Sequence, residues 1–123
     1  KTEKNQAEAR YLIGEVKGKV CITTDDMIDT AGTICTAADL LMKNGAKEVV
    51  ALSTHGVFSE PSLERLKDSA FSRVVVTNTL PAPVNDAGGK IQVLSIANLI
   101  ADAIAAIYAD ESVSALFEGG NQI

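Results

Sequence analysis

Short apolar runs alternate with segments of helical periodicity along this chain, and that alternation restricts the fold more than any other feature. KVCITT (about 19–24), KEVVALST (47–54) and RVVVTN (73–78) are nearly continuous apolar stretches. Runs of this length and β-branched content fit buried strands of a parallel sheet. Between them, Ile34, Ala37, Ala38, Leu41 and Met42 recur at helical spacing, which predicts a helix over about 33–44, stopped by Asn44-Gly45. A short helix is predicted over 59–69, with Pro61 in its first turn. A loop holding Pro81, Pro83, Gly88 and Gly89 precedes a less buried strand at 90–96. Ser95 can then cap a helix over 96–109, where Ile96, Leu99, Ile100, Ala103, Ile104 and Ile107 share one face. The order predicts an α/β fold: a doubly wound, mainly parallel sheet flanked by helices.

At 123 residues the chain holds one core at most. A formal net charge of −5 argues against nucleic acid and anionic membrane as partners. No apolar run reaches the roughly 18–20 residues of a membrane span, and the N-terminus does not read as a signal peptide. Cys21 and Cys35 lack CxxC spacing; buried, reduced thiols and a cytoplasmic setting are expected. Residues 1–10, KTEKNQAEAR, are too polar to pack and read as a mobile lead-in. A chain that starts at Lys1 is expected to be part of a longer protein.

In such sheets ligands bind at the carboxyl ends of strands. The first strand ends on Asp25-Asp26, and DDMIDTAGT (25–33) leads into the first helix. Backbone N–H groups from Thr30 to Thr33 can converge on an anion there, with Thr30 and Thr33 adding hydroxyls and Gly32 permitting close approach. The turn has no P-loop lysine and no GxGxxG, so it suits one phosphate monoester. Carboxylates repel phosphate but accept hydrogen bonds from vicinal hydroxyls. A sugar phosphate satisfies both halves of the motif.

DDMIDTAGT resembles the phosphoribosyl-binding motif of type I phosphoribosyltransferases, and in this longer form that of the ribose-phosphate diphosphokinase family. KNGAKEVVALSTHGVFSEPSLERL, VVVTNTLP, KIQVLSIANLIADAI and ESVSALF follow in that family's order and spacing. The resemblance covers about Val16 to Phe117. It implies a partial C-terminal domain at 16–123, preceded at 1–15 by the remnant of a flexible catalytic loop. It implies transfer of diphosphate from ATP, with Mg2+, to C1 of ribose 5-phosphate. By position, Asp25 and Asp26 would bind the ribose hydroxyls, and Asp29, Thr30, Ala31, Gly32 and Thr33 the 5′-phosphate. Lys1 stands where the family carries its catalytic lysine, although Glu3 replaces the usual arginine and the loop is shorter. Ser112, Ser114 and Phe117 match a regulatory site for inorganic phosphate or ADP between subunits. A homo-oligomer, a hexamer in the family, is implied, as is an open sheet edge where further strands belong. The ATP and metal groups would lie upstream, so this piece alone is expected to be inactive.

Two other functions fit the same residues: a non-catalytic regulatory subunit of this ancestry, and a phosphoribosyltransferase for a base. A phosphoryl-receiver domain does not fit, because no Asp ends the later strands at Ser53-Thr54-His55 or Thr77-Asn78. His55, the only histidine, has no local carboxylate or cysteine companion and reads as a structural or interface residue.

Overall fold

In the computed structural model, residues 14–117 are described. Strands β1 (Val20–Ile28), β2 (Glu48–Gly56), β3 (Arg73–Thr77) and β4 (Ile91–Leu94) form one sheet in that order. Every neighbouring pair is parallel. Helix α1 (Gly32–Lys43) joins β1 to β2, and α2 (Ser62–Asp68) joins β2 to β3. A helix-free loop carries β3 to β4, as its prolines and glycines predict. Helix α3 (Ala97–Tyr108) and a short 3-10 helix (Val113–Phe117) follow.

Strand periodicity separates the two faces of the sheet. Val49, Ala51, Val74, Val76 and Ile91 point to one side, where they meet Ala38 of α1, Leu66 of α2 and Phe71. This is the core, and Val49, Leu66 and Val74 are fully buried in it. Parallel strands added successively in one direction by right-handed crossovers place their helices on one face. Val20, Ile22, Leu52 and Leu94 on the opposite face are accordingly exposed. Among the described residues no helix packs on that face; α3 rests against the 3-10 helix, with Ile104 and Ile107 open to solvent.

Element types match the sequence pattern, and their ends differ from it. Strand β1 does not stop at Asp26 but continues through Met27 and Ile28, which pair with His55 and Gly56. Ile28 is buried in the core, and that burial draws the strand past the acids. Helix α2 begins at Ser62, so Pro61 precedes it instead of occupying its first turn; its ψ of 40° is not helical. The Leu116-Phe117 pair does not dock on the core and stays partly exposed. Both cysteines are free and only half-buried.

Ser62 is fully buried, and its Oγ has no hydrogen-bond partner among the described residues. A buried unbonded hydroxyl costs about 1–3 kcal/mol. Urea denaturation should therefore find Ser62→Ala as stable as the parent or more stable by about 1 kcal/mol; a comparable loss would show that the hydroxyl is satisfied.

Candidate functional site

The tip of β1 is built by its neighbour. The N–H groups of Val57 and Phe58 both donate to the Ile28 carbonyl, at 2.9 and 3.0 Å, as the chain leaves β2. Phe58 adopts a φ of 53° and lays its ring on Gly56, whose missing side chain is what admits it. With Ile28 held from below and above, Asp25 and Asp26 stand just before it and Asp29 just after it, all three exposed. Asp25 Oδ1 accepts the N–H of Asp26 at 2.7 Å. Hydrogen bonding by the Asp25 side chain holds the Asp26 carboxyl below the usual carboxylate range, with a smaller contribution from the charge of His55. Two adjacent carboxyl groups that face solvent can accept bonds from a polyol.

The turn that follows is less ordinary than its sequence. Ala31 occupies the N-cap of α1 in the left-handed region, with a φ of 66°, and no side chain caps the helix. Asp29 is therefore not a helix cap. The first helical bond runs from Cys35 N–H to Ala31 O, at 3.1 Å. The N–H groups ahead of it have no intrahelical partner and remain available to an anion. Thr30 and Thr33 are exposed beside them. Arg65 of α2 reaches this turn, its Nη1 donating to Thr30 O at 3.1 Å. Sequence pattern gave no signal for that contact, which spans 35 positions.

Three of the predicted groups thus come together: the acid pair, the turn and the helix start. A shallow depression of about 320 Å³ adjoins Asp25 on the open face of the sheet, lined by Thr24, Leu52, Thr54, Thr77 and Leu94. The strand tips beside it are tied by side chains. Thr77 Oγ1 donates to Thr54 O at 2.6 Å, and His55 Nδ1 lies 2.7 Å from Thr79 Oγ1. His55 therefore has a hydrogen-bond partner, and pairing of β1 with β2 brings it near Asp26, a carboxylate that its local sequence does not supply. Asn78 Oδ1 accepts the Ile96 N–H at 2.9 Å and Ser95 Oγ accepts that of Ala97 at 3.1 Å, but the N-cap of α3 is Ile96, not Ser95 as the sequence predicts, and no N-cap side chain caps the helix.

The remaining candidates lie apart in the chain. Ser112 and Ser114 sit at the C-terminal end of the described residues, exposed, with their Oγ atoms 2.6 Å apart. Phe117 closes the same 3-10 helix and is half-exposed. Lys1 and the lead-in lie outside the described residues. Among the described residues no group of three His, Cys, Asp or Glu side chains is placed to hold a metal ion. Burial, and secondarily Asp39, pushes the Cys35 thiol up, which leaves it protonated at neutral pH and unsuited to nucleophilic work. No helix is long and apolar enough to cross a membrane among the described residues.

Two measurements test this geometry. A left-handed residue with a Cβ costs about 1–2 kcal/mol, and a branched side chain costs more. Ala31 is also buried, so Ala31→Val should lose at least about 2 kcal/mol of stability, whereas Ala31→Gly trades strain relief against a lost methyl and should stay within about 1 kcal/mol. Separately, an NMR carboxylate titration should find Asp26 ionising below the ordinary range. Because its folded pKa is depressed, the stability it contributes is present at neutral pH and is lost as pH falls through that lowered value; an unshifted midpoint would contradict the Asp25 contact.

Comparison with known proteins places this geometry in a family. The model of the phosphoribosyl synthetase-associated domain matches residues 2–118. A ribose-phosphate pyrophosphokinase of Gloeobacter violaceus is 51% identical over 113 residues, covering 92% of this chain and 34% of that protein. One from Streptomyces avermitilis is 50% identical over 114 residues, covering 93% and 35%. Among solved structures, phosphoribosylpyrophosphate synthetase from Mycobacterium smegmatis matches with a TM-score of 0.75 at 49% identity, over 80% of this chain and 33% of the other. The chain spans about a third of the length of the curated relatives it matches. A family model that matches nearly every residue, joined to half-identical relatives and a shared fold, establishes that the chain belongs to the phosphoribosyl synthetase-associated domain family.

Proposed function

We propose that this chain carries the ribose 5-phosphate half of a ribose-phosphate diphosphokinase active site. The observation that supports this most is the exposed acid pair ending β1 beside an uncapped helix start with a left-handed N-cap. In this reading the 5′-phosphate accepts the free N–H groups of the 30–33 turn and the hydroxyls of Thr30 and Thr33. Asp25 and Asp26 accept the ribose hydroxyls, and Asp29 borders the phosphate. Fixed at both ends, the sugar presents its C1 hydroxyl in one direction. That oxygen attacks the β-phosphorus of ATP in line, forming the C1–O–P bond as the bond to the AMP oxygen breaks. The hydroxyl proton leaves to solvent. What these residues contribute is positioning.

Mg-ATP supplies the diphosphoryl group when bound. The described carboxylates do not form a three-ligand metal set, so they are assigned here to the sugar, and the metal's ligands to polypeptide outside these residues. Lys1 is assigned to charge stabilisation on the transferred group. Ser112, Ser114 and Phe117 are assigned to a regulatory anion, phosphate or ADP. The exposed apolar face and α3 support a homo-oligomeric assembly, and the free cysteines suit a reducing compartment such as the cytoplasm.

Ribose 5-phosphate soaked into crystals of the chain should place its phosphate within hydrogen-bond reach of the backbone at 30–33; density elsewhere would refute the site. A chimaera tests turnover, with this chain replacing the matching third of the Mycobacterium smegmatis enzyme. It should release AMP only with both substrates present, and Asp26→Asn should weaken its use of ribose 5-phosphate by about tenfold to a hundredfold, the worth of a charged hydrogen bond.

A further inference from the structure

The turn that opens α1 is not held by its own bonds. Its N-cap residue is left-handed and no side chain caps it, while the first helical bond, Cys35 N–H to Ala31 O, is that of any α-helix start and ties down nothing ahead of Ala31. An element from elsewhere in the fold supplies the missing restraint. Across a cleft of about 600 Å³ between α1 and α2, Arg65 places Nη1 3.1 Å from Thr30 O. A Cβ built on Gly32 would lie 3.2 Å from the same nitrogen. The guanidinium therefore lies against the bare Cα of Gly32 while bonding the carbonyl two residues earlier. Both of its neighbours belong to the one turn.

We propose that Arg65 is a positioning residue for sugar-phosphate binding: its guanidinium clamps the Thr30 carbonyl and so fixes the direction of the N–H groups that follow. This rests on the reading of that turn as the 5′-phosphate site. Gly32 then has a second reason to lack a side chain, since the clamp occupies the space a Cβ would crowd.

Charge alone does not account for this arginine. Asp39, Glu64 and Asp68 line the same cleft, and even with Lys90 approaching through Ser69 O the two cations do not outnumber the three carboxylates, so a phosphate meets no net positive field. What arginine brings is a rigid planar donor reaching a carbonyl at a set angle, which the flexible ammonium of lysine does not reproduce.

Isothermal titration of the chain with ribose 5-phosphate, together with amide hydrogen exchange, tests the inference. Arg65→Ala and Arg65→Lys should each weaken binding about tenfold, the worth of one charge-assisted hydrogen bond. Amides of residues 33–35 should exchange faster in both, while those of the core strands β2 and β3 keep their protection and report an intact fold. Parent-like affinity in Arg65→Ala overturns the inference alone, and retained affinity in Arg65→Lys overturns the clamp in favour of plain charge. Loss of core protection along with affinity makes Arg65 a fold residue and overturns it also. A parent chain that does not bind ribose 5-phosphate at all overturns the phosphate-site reading, and this inference with it.

Discussion

Everything at the acid-bearing end of this fold hangs on the carbonyl of Ile28. It receives two N–H groups, from Val57 and Phe58, while the Ile28 side chain is buried in the core. One residue is thus fixed through both its backbone and its side chain. The acids just before it and the turn just after it take their places from that anchor. Phe58 can deliver the second N–H only because Gly56 leaves room for its ring. A pair of adjacent carboxylates would by itself favour a solvated loop; burial of Ile28 and pairing with β2 keep them on a strand instead.

The sheet is asymmetric for a reason of topology. Four parallel strands laid down in sequence order put both crossover helices on one side. That side has a dry core, and the other presents Ile22, Leu52 and Leu94 to solvent. Both outer strands, β1 and β4, also have an unpaired edge among the described residues. Ligands of α/β sheets gather where strand order reverses. No reversal occurs among these four strands, and the acids stand at the carboxyl end of β1, an outer strand of the described sheet.

Most of the fold was legible because apolar runs and helical spacing are local signals. Val49, Ala51, Val74 and Val76 announce β2 and β3 directly, and Asn44-Gly45 marks the end of α1. The strand-tip acids and small-residue turn were legible for the same reason. The rest depends on contacts between distant residues. Nothing near Met27 and Ile28 says that β2 will extend to meet them, and Pro61 gives no sign that it stands just outside α2. Ala31 looks like a spacer in the sequence, yet it takes the left-handed N-cap of α1. Arg65 reads as one more charge on a short helix until the cleft brings it to Thr30.

The anchoring of Ile28 also makes the site a gauge of length. Asp26 and Thr30 flank a residue that cannot shift independently of the core, so the gap between the acid pair and the turn is set by the fold. If the proposed reading of the acids and the turn holds, a sugar whose phosphate sits on another carbon would present the wrong span, and selectivity among isomeric sugar phosphates would follow from one buried isoleucine.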